Sequence, residues 1–205
     1  DELIEAFEKS DLAHVDKEFS AYKDLLLVLH EAYSQVENSE NYNKVANLLE
    51  KSFPGTNQNL KISNAVRKGD LAMIQESATK ADEKEPYLDN LLAYYEANKK
   101  SVSLAQSLNA IIPGAGYLYI GQKKSALTAF ILNGAFITAA VKFFLSNHLA
   151  AGIITTSFEA GWYFGGIYGA GEEAKYYNER LYERAASSVL NENKLFPALM
   201  FNHAF

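Results

Sequence analysis

The chain has 205 residues, with 25 Asp/Glu against 19 Lys/Arg and no cysteine. This composition excludes a disulfide framework, a thiolate nucleophile and Cys-based zinc or iron–sulfur sites. The acidic balance argues against a nucleic-acid partner, because phosphate neutralisation needs a basic face. The charge is unevenly divided: residues 1–100 carry 12 Lys/Arg and 19 Asp/Glu, whereas the run from Ser101 to Gly171 has only Lys123, Lys124, Lys142 and Glu159, with most of the twelve glycines.

From Leu3 to Val36 the apolar residues recur at helical spacing, with Leu12, Val15, Phe19, Tyr22, Leu26, Leu29 and Tyr33 in one stripe. The segment reads as one long helix, or as two broken near Ser10-Asp11, where either residue can cap a new start. A helix over Asn41–Ser52 is stopped by Phe53-Pro54-Gly55. Helices over Asn57–Lys68 and Asp70–Lys80 follow, hinged at Gly69, and Pro86 opens another that runs to about Asn98. The stretch Tyr42–Pro54 resembles the second helix of a tetratricopeptide repeat, and Gly69–Ala81 followed by Pro86 looks like the same element again. Their spacing falls short of that family's about 34 residues and the characteristic Trp is missing, so the repeat is degenerate. Residues 1–100 are therefore expected to form a soluble, repeat-like helical arm that binds a protein partner, with a small irregular helical domain as the alternative.

Residues 101–171 read as a membrane domain. Ser125–Leu145 is an apolar stretch of spanning length, broken only by Asn133 and by Lys142 near its far end. After Ser146-Asn147-His148, a second stretch from Leu149 to Gly171 completes a helical hairpin. The earlier run Ser101–Gln122 contains Pro113, Gly114, Gly116 and Gly121, which should break a helix. We read a short helix over Val102–Ile111 and a re-entrant or interfacial turn over Pro113–Gly121, with a full kinked span as the alternative. If this run does not span, the positive-inside rule puts both chain ends in the cytoplasm. A cleaved leader before Asp1 would instead put the arm outside it.

In a hairpin centred near Ser146, Asn133 and Glu159 each lie 13 residues from the tip. At about 1.5 Å per residue that is ~20 Å into the hydrocarbon layer. A lone carboxylate there costs several kcal/mol, so Glu159 is expected to be neutral, or paired with Asn133 or another polar group. Gly161, Gly165 and Gly169 make a ladder at four-residue spacing, a bare helix face that lets another backbone or another copy of the chain approach. Trp162, Tyr163 and Tyr168, with Lys123 and Lys124 facing lipid phosphates, read as interface anchors. Gly116–Ser125 nearly copies a phosphate-binding loop, but Gln122 and an extra Lys intervene and no strand feeds it. His14, His30, His148 and His203 show no metal-ligand spacing and read as surface or interfacial residues. We expect no metal, no cofactor and no catalytic constellation.

Glu172–Leu190 reads as an amphipathic helix and Leu195–Phe201 as an apolar tail, which together make up a third region, 172–205. The ordered set Pro113-Gly-Ala-Gly-Tyr-Leu-Tyr-Ile-Gly121, Ala126 to Asn133-Gly134, and Phe158-Glu159-Ala-Gly-Trp162-Tyr163-Phe-Gly165-Gly-Ile-Tyr168-Gly169-Ala170 resembles a group of bacterial envelope proteins. In these, tetratricopeptide-like repeats precede a small glycine-rich membrane domain. The first motif is also similar, at a distance, to the glycine-rich turn of the TM2 family. The resemblance implies a precursor with a signal peptide, a location in the inner membrane of the cell envelope, and, through an association of some members with the insertion factor YidD, a part in envelope biogenesis. The expected fold is all-α, and the expected function is a membrane-anchored scaffold; the alternative is a small oligomeric transporter or channel subunit using Glu159.

Overall fold

A computed structural model describes residues 22–35, 39–80 and 86–193. Among the described residues the regular structure is all α-helix, with no strand: α1 (Tyr22–Gln35), α2 (Ser39–Ser52), α3 (Thr56–Lys68), α4 (Leu71–Lys80), α5 (Pro86–Asn98), α6 (Val102–Ile111), α7 (Ala115–Tyr119), α8 (Lys123–Leu145) and α9 (Leu149–Glu192). Leu12, Val15 and Phe19 of the first stripe, His14 and His203, and the tail over 195–201 lie outside the described residues. The chain divides into two compact units. One takes the described residues up to Leu92 and those from Ala186 onward; the other is Ala93–Ala185. The boundaries therefore differ from the divisions at 100 and 171 expected from charge.

In the first unit the heptad-like spacing of α1 is used as the sequence suggests. Tyr22, Leu26, Leu29 and Tyr33 are buried, and they join Val45, Leu49 and Leu60 in one core, with Leu25, Tyr42 and Phe53 packed against it. The helix stops are local chemistry. Gly55 takes φ 84° after Pro54, and Gly69 takes φ 69°, conformations that cost little only without a Cβ. At Gly69 the Asp70 N–H closes on the Ala65 carbonyl at 3.0 Å, and the Asp70 side chain then accepts the Met73 N–H at 3.0 Å. One residue ends α3 and the next caps α4. Glu31 and Arg67 tie α1 to α3 at 2.8 Å.

His30 is a correction to the surface reading of the histidines. It is buried, its ring centroid 4.5 Å from that of Tyr42 at a tilt of 42°, and neither ring nitrogen has a hydrogen-bond partner among the described residues. Burial pushes its pKa below the ordinary value of 6.5, against a smaller opposing pull from Glu31. The sequence hides this because His30 sits beside Leu29 on the apolar stripe, where an imidazole is not distinguishable from a polar residue at its edge.

In the second unit the last residues of α5 lead into α6, capped by the Ser101 hydroxyl accepting the Leu104 N–H at 3.2 Å. It ends at Ile111, and Ile112 is extended at φ −134°. Pro113 and Gly114 then turn the chain into the five-residue α7, and Gly121, at φ 85°, turns it again into α8. Ser101–Gln122 thus holds the expected short helix over Val102–Ile111, broken at Pro113, and the segment read as a turn over Pro113–Gly121 contains the further short helix α7. The α8–α9 turn is closed by Asn147 at φ 57°, with Asn147 N–H on Phe144 O at 3.1 Å and His148 N–H on Phe143 O at 2.9 Å. This is the doubly bonded stop of a Schellman motif, with Asn in the place of glycine.

Two expectations are corrected here. The helix from Leu149 does not end at Gly171, and no separate amphipathic helix follows: α9 runs unbroken through 44 residues to Glu192. Glycines at 165, 166, 169 and 171 each cost about 1 kcal/mol of helix propensity, but no proline interrupts the segment. Ala170, Ala174 and Leu181 continue a buried stripe straight through the presumed boundary.

Candidate functional site

The centre of the second unit is a close crossing of α6, α7 and α9. Gly116 lies where a Cβ would strike the Ala105 carbonyl, the Ala170 Cβ and the Asn109 Cβ. Gly166 and Gly171 meet the Asn109 and Gln106 side chains, and Ala105, Ala170 and Ala174 are fully buried. Polar ties fix the crossing. The Asn109 side chain accepts the Gly114 N–H at 2.8 Å, pinning the turn after Pro113. Asn178 bonds the Lys100 backbone twice, accepting its N–H at 2.7 Å and donating to its carbonyl at 2.9 Å. The Tyr163 hydroxyl donates to the Ala110 carbonyl, and Tyr119 accepts the Ser101 N–H at 3.1 Å. Lys100 stands 4.8 Å over the Tyr119 ring.

Beside this crossing lies a cavity of about 820 Å³ between α8 and α9. Lys124, Ser125, Thr128, Ala129 and Asn133 line it from α8, and Gly161, Trp162, Gly165, Tyr168, Gly169, Glu172 and Glu173 line it from α9. The pairing is antiparallel, with Lys124 near the two glutamates at one end and Asn133 near Gly161 at the other. Gln122 donates to Glu173, and Ser125 donates to Gln122 at 3.0 Å, so a small polar network borders the mouth. Lys175 pairs with Glu172 at 2.7 Å.

The residues picked from sequence are thus brought into one region with altered roles. The glycine ladder does not carry the helix crossing: nothing lies within 4 Å of a Cβ position at Gly161 or Gly165, and at Gly169 only the Tyr117 side chain does. The packed small-residue face is its neighbour, Gly166, Ala170 and Ala174. Asn133 and Glu159 are both buried, but they are not bonded to each other. Asn133 donates to the Ala129 carbonyl 2.6 Å away, one turn back along its own helix, and both Glu159 oxygens lack a partner among the described residues. The carbonyl one turn back on the same helix is a partner open to a mid-helix Asn, and Asn133 takes it. Of the anchors, Trp162 and Tyr168 are half or more exposed, and Lys123 and Lys124 are exposed. Tyr163 instead turns inward to Ala110. Sequence reasoning gave no role to Asn109 or Asn178; their signal is weak, since an Asn in a helical run carries no mark of whether it will be buried against another segment.

The outer faces of this unit are apolar. Among the described residues α8 is the one helix long and apolar enough to cross a membrane, and only 11% of its most apolar stretch is buried. Leu127, Phe130, Ile131, Ile137 and Val141 on α8 are at least half exposed, as are Ile153, Ile154, Phe158 and Phe164 on α9. Neither the family models nor the curated proteins nor the solved structures contain a match to this chain.

Proposed function

We propose that the chain is a membrane-anchored helical scaffold of the bacterial cell envelope: α8 and the apolar half of α9 lie in the bilayer, the α6–α7 turn packs against them, and the arm over residues 22–92 binds a protein partner near the membrane. The carrying observation is the exposed aliphatic surface of α8. A core helix of a soluble domain buries such a face, and leaving about half of each of five large apolar side chains in water forgoes about 0.8–1.5 kcal/mol each. A continuous apolar surface of this size marks a lipid or protein contact. The degenerate repeat pattern of the arm supports the partner-binding half of the reading. Fractionation tests it: retention through carbonate and release only by detergent is the expected result, and release by carbonate alone refutes the anchor. Protease digestion of the arm in spheroplasts then reports its side of the membrane.

A second reading, an ion- or proton-linked transporter or channel subunit, is favoured by one observation, the buried and unpartnered Glu159. Glu159→Gln separates the two. A scaffold retains partner binding at every pH, whereas a proton-linked path loses its pH dependence in a liposome flux assay.

A further inference from the structure

Between Lys100 and Lys123 the chain carries no charged side chain, and contacts with α9 fix the course of that run. The Lys100 backbone is bonded to Asn178, the Gln106 side chain stands where a Cβ at Gly171 would lie, Asn109 faces Gly166, and the Ala110 carbonyl accepts from Tyr163. The partners on α9 fall from 178 to 163 as the chain advances from 100 to 110. The α6 helix therefore runs antiparallel to α9, away from the charged end of that helix. Past Pro113 the chain comes back: Gly116 lies against Ala105 and Ala170, Tyr119 accepts the Ser101 N–H, and Gln122 donates to Glu173. Entry and exit are thus tied to α9 at 178 and 173, only about 7.5 Å apart along its axis.

The tip between them is apolar and bare, with Ile111 76%, Ile112 52% and Leu118 58% exposed. On α9 it is level with Gly166 and Tyr163, seven and ten positions from Glu173, or about 10–15 Å. The α8 helix, with 23 residues, is about 34 Å long, so the tip reaches rather less than half-way along the α8–α9 pair. At that level α9 presents Phe164, and α8, in the register that sets Asn133 beside Gly161, presents Phe130 and Ile131, all more than half exposed. The bare apolar side chains at this depth therefore belong to every element of the unit and not to one patch. A protein partner covers one face; acyl chains cover all of them. At the other end of the same helices lie the exposed Lys123 and Lys124, Lys100 over the Tyr119 ring, and the Glu172–Lys175 pair, the charged and aromatic edge that meets a headgroup layer.

We infer that α6 and α7 form a re-entrant hairpin whose tip, Ile111-Ile112, is seated in the acyl chains of one leaflet, the leaflet next to Lys123 and Lys124. The depth rests on the membrane reading, because it is counted from the charged end of α8 and α9. That leaflet then holds four helix sections and the opposite leaflet two, and Lys100 and Glu173 lie on the same face of the bilayer. Backbone that turns at membrane depth needs protein beside it, and the Asn109 side chain supplies it by accepting the Gly114 N–H at 2.8 Å.

The chain has no cysteine, so single cysteines in the full chain report position without background. Ile112→Cys and, separately, Ile111→Cys carry an environment-sensitive fluorophore in proteoliposomes, read against iodide in the water and against nitroxides on the phospholipid acyl chains. Quenching by the lipid nitroxides several-fold above that by iodide is expected at both. Quenching mainly by iodide overturns the inference and makes the turn interfacial; protection from both quenchers overturns it in favour of a protein contact. Ile137→Cys, on the exposed face of α8, reports the anchor. Iodide quenching there refutes the membrane reading and the hairpin with it, whereas lipid quenching at Ile137→Cys with iodide quenching at Ile112→Cys sinks the hairpin alone. In spheroplasts a membrane-impermeant maleimide is expected to treat Lys99→Cys and Lys123→Cys alike and Asn147→Cys oppositely. Opposite results at Lys99→Cys and Lys123→Cys would mean that the run crosses the bilayer, and would overturn the inference.

Discussion

The same substitution, Gly to Ala, should have opposite effects at two positions of the second unit. At Gly116 a Cβ would lie 2.9 Å from the Ala170 and Asn109 Cβ atoms and closer still to the Ala105 carbonyl oxygen, where carbon contacts prefer about 3.5–4.0 Å. These neighbours are backbone or the first side-chain atom, so no rotamer change relieves the overlap; α6 or α9 must move by about 0.6–1 Å. Overpacking of this kind costs about 1–3 kcal/mol, and the gain in helix propensity returns about 0.5–1 kcal/mol. The net is a loss of about 0–2.5 kcal/mol, or up to roughly 10–20 °C in Tm for a unit of this size. At Gly134, with nothing within 4 Å, only the propensity gain remains, and Tm should rise by about 2–8 °C. Trp162 is the single tryptophan and lies in this unit, so its fluorescence during heating of the detergent-solubilised chain reads the effect there. Equal rises for both variants would refute the claim that Gly116 is present for close approach.

Three further outcomes are expected. His30 titrates below 6.5 when folded, so the unfolded state binds more protons below that pH; the first unit should hold full stability above about pH 6.5 and lose it as the pH falls toward the folded value. His30→Gln should flatten the denaturant midpoint between pH 7.5 and 5.5, and an unchanged slope would assign the effect to other groups. Asn178→Ala removes both bonds to the Lys100 backbone, worth about 1–3 kcal/mol, and should speed tryptic cleavage after Lys99 and Lys100 several-fold relative to other sites. Leu49→Ala, at a position with no exposed surface in the first core, should cost about 2–5 kcal/mol, read by circular dichroism, and leave the Trp162 transition in place.

What was legible in the sequence is what a single residue's chemistry dictates. Pro54, Gly55 and Gly69 stop helices because of their own backbone preferences, and Pro113, Gly114 and Gly121 break the run after Ser101 for the same reason. The Tyr22–Tyr33 stripe is a period, readable without knowing what it faces. The end of α9 was missed because the change from apolar to charged at Glu172 is a change of environment, and a helix backbone does not stop where its surroundings change. Likewise the domain division at 100 followed charge, whereas the Lys100 backbone is held by Asn178, 78 positions away.

The glycines show most clearly why pattern and role diverge. Gly161, Gly165 and Gly169 have the spacing of a packed face, yet Gly166, Ala170 and Ala174, one helical column over, take the contact, because α6 and α7 approach α9 from that side. Spacing on a helix says which residues share a face; it does not say which of two adjacent small-residue faces a neighbour will choose. The Pro113 turn takes part in that choice through Gly116, where a Cβ would meet the Ala105 carbonyl and the Ala170 Cβ, while Gly114 of the same turn lies against the Ala126 backbone of α8. Of the ladder, Gly169 meets the Tyr117 hydroxyl of α7, and Gly161 and Gly165 line the groove with nothing within 4 Å of a Cβ.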